Sequence, residues 1–271
     1  MVTLLLPRLA GPVGESFRRA SAVTGRNLAA ARHYAYWAAI LSGFFEPVLY
    51  LLSIGLGVGS LVKTFTLADG RTVSYAAFVA PAMLAASAMN GALAESTFNL
   101  FGKMKFMRLY DAVLATPVRP VEVALGELMW ALARGSVYSV AFLALMVVMG
   151  LTSVGWALLA FPATLLVGFA FGALGSAAST FMRGWQDFDY VLVVQFGLFL
   201  FSGTFAPADG YPWPAKVALE VTPLYHGVAL LRGLTTGALP ASLLGHTAYL
   251  LVLAVVGLIV AGRRMGRLLC R

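Results

Sequence analysis

The chain has 271 residues, 60% hydrophobic and 11% charged, with a mean hydropathy of +0.86. Soluble domains carry roughly 25% charge and 45–50% apolar residues, and a soluble chain this short lacks the interior to hide the excess. A soluble monomer and a disordered chain are therefore excluded. An integral membrane protein solvated by lipid remains.

The net charge of +8 comes from 19 Lys and Arg against 11 Asp and Glu. Basic residues gather on cytoplasmic loops beside anionic lipid. No basic run with interleaved aromatics spells a nucleic-acid module, so no nucleic-acid partner is expected. The single cysteine, Cys270, forms neither an intrachain disulfide nor a zinc site.

Taken from the N-terminus, the short apolar run before Pro7 is followed by five arginines by residue 32, which is not a secretory signal. Residues 15–34 are expected to form an amphipathic helix within a cytoplasmic segment 1–36. At about 100° per residue, Arg18, Arg19, Arg26 and Arg32 fall within an arc of about 140°. Phe17, Val23, Leu28, Ala31 and Tyr34 lie opposite. Such a helix lies along the inner membrane surface with its arginines toward lipid phosphates; the alternative is an ordinary solvated lead-in helix.

Six apolar runs then have the roughly 20 residues a spanning helix needs, at about 37–61, 77–98, 125–150, 155–181, 188–206 and 244–262. The runs are continuous rather than alternating, so they read as helices and not barrel strands. With both termini inside, 14 of the 19 basic residues fall on inner segments and four (Lys63, Arg71, Lys216, Arg232) on outer loops. Arg134 sits within the third span. That split predicts cytoplasmic termini and an even number of spans.

Ionisable residues within spans cost about 2.5–3.5 kcal/mol each on insertion scales. Glu46, followed by the helix-kinking Pro47, lies about ten residues into the first span, and Arg134 about ten into the third. Equal depth predicts a Glu46–Arg134 pair, either structural or on a transport pathway. Glu95 and Glu127 lie near inner span ends, close enough to snorkel; they read as structural, or as contacts to a cytoplasmic partner. Gly55 with Gly59, and Gly168 with Gly172 and Gly175, allow close helix approach within a subunit or between two.

The loop between the second and third spans predicts one amphipathic helix over 104–114, stopped at Thr116-Pro117. Its exposed Phe106, Leu109, Tyr110 and Leu114 offer an apolar ridge to a partner in helix-in-groove fashion, or lie flat on the membrane. The stretch 207–243 is too polar and proline-rich to span and too apolar for a solvated loop. It reads as a re-entrant helical hairpin on the outer face. Phe196, Phe199, Phe201 and Phe205 are candidates for a dry lining. No phosphate-binding loop, metalloprotease or nucleophile-elbow motif is present. The chain therefore reads as a non-enzyme without cofactor or metal, whose energy for active transport comes from a gradient or from another chain.

Four stretches carry a family resemblance. They are Phe45-Glu46-Pro47-Val48-Leu49-Tyr50 running into Gly55-Leu56-Gly57-Val58-Gly59; Ser74-Tyr75-Ala76-Ala77-Phe78 with Ser87-Ala88-Met89; Leu125-Gly126-Glu127-Leu128 with Trp130-Ala131; and Pro223-Leu224-Tyr225-His226 after Ser202-Gly203, with Arg232 six residues beyond His226. In this order they resemble the permease subunit of ABC-2 type exporters, most of all those that move lipo-oligosaccharides. The resemblance implies an all-α integral membrane fold of the type V ABC exporter kind. Its transmembrane domain is 37–265, with a coupling loop at 99–124, an outer hairpin at 207–243 and a basic tail at 266–271. It implies a homodimer in the bacterial plasma (inner) membrane, served by two copies of an ABC ATPase that binds ATP and Mg, and an amphiphilic substrate: a lipid-linked oligosaccharide, a lipid or a drug. Lys105, Phe106, Arg108, Leu109, Tyr110, Asp111 and Leu114 would couple to the ATPase. Pro223, Leu224, Tyr225, His226 and Arg232 would cap the exit or satisfy turn carbonyls. The alternative is a standalone proton-coupled carrier or multidrug efflux protein.

Overall fold

The structure, a computed structural model, describes residues 13–31, 45, 48–53, 57, 64–66, 70, 72–107, 109–207 and 210–269. Helix α1 (Val13–Ala31) comes first. A hairpin of β1 (Thr64–Thr66) and β2 (Thr72–Ser74) follows, antiparallel with Phe65 opposite Val73. This small sheet was not foreseen in an otherwise all-α reading; its Thr-rich strands are too short to show a pattern.

Ser74 caps α2 (Tyr75–Ala94), its hydroxyl accepting from the Ala77 N–H at 3.2 Å. A π-helical turn (Glu95–Asn99) and α3 (Leu100–Lys105) continue α2 as one rod of 31 residues. The Ser96 and Thr97 hydroxyls donate back to Ala92 O (2.7 Å) and Leu93 O (2.6 Å), competing with the helical ladder where the π turn begins. After α4 (Leu109–Leu114), Pro120 opens α5 (Pro120–Val148), and the Glu122 carboxylate accepts from the Arg119 N–H at 2.9 Å. Then come α6 (Val154–Ser179), α7 (Asp187–Leu200), α8 (Trp213–Val221), α9 (Pro223–Thr236) and α10 (Ser242–Leu269).

Four of these helices are long and apolar enough to cross a membrane: Tyr75–Lys105, Pro120–Val148, Val154–Ser179 and Ser242–Leu268. They fall on four of the six expected spans. Most of the first, 37–61, lies outside the described residues. The fifth, expected over 188–206, is helical only over Asp187–Leu200. At about 1.5 Å per residue those 14 residues rise about 21 Å, short of about 30 Å of hydrocarbon.

Helix α6 is the hub, packed against α2, α5, α9 and α10. Its small residues make this possible: Ala160, Ala170 and Ala173 are fully buried. The partner helix α10 comes close enough that a Cβ on Gly257 would lie 2.8 Å from the Ala173 carbonyl carbon. Gly168, Gly172 and Gly175 face Leu132, Leu128 and Ser96 of the same chain, so this glycine face packs within the subunit. Gly55 and Gly59 lie outside the described residues. By contrast, α7 has no buried residue.

The expected single helix over 104–114 is corrected. The chain breaks after Lys105 and resumes as α4, with Phe106 and Met107 exposed at the break. Such a break lets α4 turn back against α3, α5 and α10 rather than extend the α2 rod.

Gly237 ends α9 in the left-handed region at φ 71°, and a Cβ there would sit 2.9 Å from the Trp156 ring. Gly237→Ala is expected to cost about 1–3 kcal/mol. The check is the thermal unfolding midpoint in nanodiscs, which should fall; Gly245→Ala, where a Cβ meets nothing within 4 Å, should leave it unchanged.

Candidate functional site

Three side-chain constellations stand out, one at each end of the bundle and one between. At the α1 end, Glu127 of α5 is 7% exposed and accepts three charge-assisted hydrogen bonds. Lys103 Nζ approaches to 2.6 Å, Arg26 to 3.0 Å and Asn27 Nδ2 to 2.9 Å. The contact is possible because α1 lies flush on α5: a Cβ on Gly126 would stand 2.6 Å from Ala20 O. Arg19 adds a hydrogen bond to Pro117 O at 3.1 Å and an approach to Glu122 at 3.8 Å. The surface helix is thereby fastened to the end of the α2 rod, to the following loop and to α5.

This overturns two expectations. The α1 arginines were expected to face lipid phosphates; Arg19 and Arg26 instead turn toward the protein, and Phe17 and Leu28 are exposed. The stripe Ala20, Val23 and Asn27, at helical spacing, is buried. Glu127 takes the structural role expected of it, because cations from two other segments neutralise it in place. The exposed ridge is also corrected at Tyr110, which is fully buried beside Met104, Val123, Ala124 and Met265. Burial and the Glu127 carboxylate push the Tyr110 phenol well above its ordinary value, so it stays protonated. Lys105 and Phe106 are exposed and Leu109 is half-buried. Arg108 and the side chains of Asp111 and Leu114 lie outside the described residues. Phe106 stacks on Trp185 at 5.1 Å, and Phe98, Phe101 and Phe188 complete an aromatic cluster that bridges two loops.

Farther along the bundle, a cavity of about 680 Å³ lies among α2, the π turn, α5 and α7. Arg134 donates to Glu95, and its Nε donates to the Tyr138 hydroxyl at 3.1 Å. Asn99 Nδ2 donates to Glu95 at 2.7 Å. Gln195 Nε2 donates to Asn90 Oδ1 at 2.7 Å, linking α7 to α2. Phe188, Phe196 and Phe199 line the same space. Phe205 packs edge-on against Phe199 at 5.4 Å, while Phe201 is 63% exposed and lines a different depression. Glu46 lies outside the described residues. Arg134's described carboxylate partner is Glu95, whose depth the sequence reading underestimated: the helix runs on to Lys105, so Glu95 is well inside it.

At the other end, α9 carries the remaining signature residues. Pro223 opens the helix and Leu224 is fully buried. Arg232 donates to Phe78 O at 3.2 Å and Gly203 O at 2.9 Å, and its guanidinium lies 3.8 Å over the Phe78 ring. Burial lowers its pKa to about 10, so it keeps its charge at neutral pH. His226 Nδ1 and His246 Nδ1 are 2.7 Å apart, Tyr225 meets both rings edge-on, and His226 stacks on Tyr249 at 3.8 Å. No group of three or more metal-ligating side chains occurs among the described residues.

Four apolar helices of spanning length mark an integral membrane protein. Residues 21–235 match the ABC-2 type transporter family, and the chain belongs to it. It is 31% identical over 247 residues to Nodulation protein J of Rhizobium leguminosarum bv. viciae, covering 89% of this chain and 93% of that protein. Nodulation protein J of Rhizobium meliloti (strain 1021) is 30% identical over 214 residues, covering 76% of this chain and 79% of that protein. The Bradyrhizobium diazoefficiens protein of the same name is 31% identical over 242 residues, 87% and 88% of the two chains.

Two outcomes check these geometries. Glu127→Ala leaves Arg26 and Lys103 facing each other without a counter-charge. Losing one partner of a buried pair costs about 3–5 kcal/mol, and proteolysis within α1 should accelerate while α6 stays protected. Burial and His246 hold His226 below its ordinary value, so folding favours the neutral ring. Around it are His246, Tyr225, Tyr249 and the Glu220 carboxylate, which opposes the shift. The pair's stabilisation is complete above about pH 6.5, the ordinary His value, and is lost as pH falls through the lower folded value. The unfolding midpoint should drop on acidification, and His226→Asn should flatten that dependence.

Proposed function

We propose that the chain is the permease subunit of an ATP-driven ABC exporter, moving an amphiphilic substrate outward across a bacterial plasma membrane. Six helices span it, both termini are cytoplasmic, and residues 207–243 form a re-entrant hairpin on the outer face. The first span is 37–61; its described piece supports this, since Leu51 is buried in the core and Tyr50 lies 6.4 Å from Phe199. The short α7 is the fifth span, its exposed apolar face covered by lipid and by a second permease copy. Two copies of an ABC ATPase dock below, binding the ATP and Mg that this chain does not hold.

The observation that carries this reading is the fastened unit at the α1 end. Load on the loop around Phe106 and Met107 passes through Lys103, Glu127 and Arg26 into both α1 and α5, two elements that a rocking permease must move together. Phe106 and Met107 are 60% and 72% exposed beside Trp185, an apolar ridge that helix-in-groove docking uses. Glu46 and Arg134 belong to the pathway wall, and Pro223, Leu224, Tyr225, His226 and Arg232 hold the exit hairpin on Phe78 and Gly203. The substrate is a lipid-linked oligosaccharide, a lipid or a drug.

Co-expression of the permease with an ABC ATPase and affinity purification through the permease provide the test. The two should co-purify, and Phe106→Asp with Met107→Asp should release the ATPase while leaving the permease's unfolding midpoint unchanged. A permease that never retains the ATPase, or retains it equally in the double variant, overturns the reading.

A further inference from the structure

We infer that the exposed face of α10 is a binding site for an anionic phospholipid. Arg263 and Arg267 hold its phosphate, and the apolar stripe before them holds an acyl chain. The site goes beyond the export reading and does not depend on an ATPase. At about 100° per residue, Val252, Val256, Ile259, Arg263 and Arg267 fall within an arc of about 80°. All five are exposed. Only 17% of the most apolar stretch of α10 is buried inside the chain, the least among the four helices of spanning length. At about 1.5 Å per residue the helix rises about 16 Å from Val252 to Arg263, the depth of one leaflet in a hydrocarbon core about 30 Å thick. The stripe therefore matches one acyl chain, and the arginines sit where the headgroup begins.

These two arginines are uncommitted. Their neighbour Arg264 is held within the chain: its Nε donates to Thr180 Oγ1 at 3.2 Å, its Nη2 donates to Thr180 O at 3.4 Å, and its guanidinium lies 3.6 Å over the Phe181 ring. Arg263 and Arg267 have no carboxylate or hydrogen-bond partner among the described residues. Set one turn apart, two planar guanidinium forks bracket a phosphate and donate to its oxygens. A phosphatidylglycerol headgroup leaves that phosphate negative, whereas the choline of a zwitterionic lipid brings a cation beside the arginines. A second copy of the chain fits this face poorly, because a twofold contact along it sets each arginine against its own counterpart. A soluble partner reaches the arginines but not the stripe, which lies in the bilayer. The lipid contact that the sequence assigned to the α1 arginines thus falls on α10.

The test is native mass spectrometry of the full chain in a neutral detergent, titrated separately with dioleoyl phosphatidylglycerol and dioleoyl phosphatidylcholine. A juxtamembrane arginine is worth about fivefold in affinity for anionic lipid, so phosphatidylglycerol should bind about thirtyfold more tightly. Inorganic phosphate at equal concentration should not displace it. Arg263→Gln with Arg267→Gln should bring the two lipids to equal affinity at an unchanged unfolding midpoint; if that variant unfolds, each single variant serves, with a loss of about fivefold. Arg18→Gln with Lys105→Gln removes two other exposed basic groups and should leave the preference intact. Equal affinity of the unsubstituted chain for both lipids, a preference retained in the α10 variants, an equal loss in the Arg18 and Lys105 variant, or displacement by inorganic phosphate overturns the inference. ATPase co-purification is scored on the same proteins. Its loss from the α10 variant at unchanged lipid affinity assigns the arginines to a protein partner instead; its absence from the unsubstituted chain sinks only the export reading.

Discussion

Glu127 is the point on which the α1 end of the molecule depends. A carboxylate left only 7% exposed is costly unless it is neutralised in place, and here Arg26, Asn27 and Lys103 all reach it. These partners come from α1 and from α3, at the end of the α2 rod, while Glu127 itself sits on α5. One charge therefore ties together three segments that are far apart in the chain. Tyr110 fills the space beneath and places α4 in the same unit, while Phe106 and Met107 are left outside. The division between a rigid anchor and an exposed apolar ridge follows from the chemistry of these few residues.

The middle of the bundle solves a related problem differently. Arg134 and Glu95 are a charge pair between two spans, and they neutralise each other beside a cavity rather than inside a packed core. Buried pairs of this kind add little stability compared with apolar packing. Arg232 repeats the logic at the α9 end, where two backbone carbonyls and the Phe78 ring serve in place of a carboxylate.

Much of this was legible in the sequence. Four long helices fall on apolar runs, because a continuous run of spanning length has no other stable form in lipid. Arg134 stood out as a charge within a span, and Arg232 as part of a signature on an outer loop. Their partners did not. The π turn adds a residue to one helical turn and α3 prolongs the rod, so Glu95 moved from an assumed span end to the cavity wall. Tyr110 was read as an exposed ridge because amphipathicity alone does not say whether lipid, a partner or the chain's own helices, here α3, α5 and α10, cover an apolar face. The arginines of α1 were assigned to lipid for the same reason; Glu127, which pairs with Arg26, lies about a hundred residues away.

On the proposed function, this chain is a pathway whose motor is a separate protein. The most direct measurement is uphill substrate uptake into inside-out vesicles that hold the permease and its ABC ATPase, with the ATPase's catalytic carboxylate replaced in a parallel preparation. Uptake should require ATP and the intact ATPase, persist when a protonophore collapses the proton gradient, and vanish in the parallel preparation. Uptake driven by an imposed proton gradient, with the ATPase inactive or absent, would contradict the account.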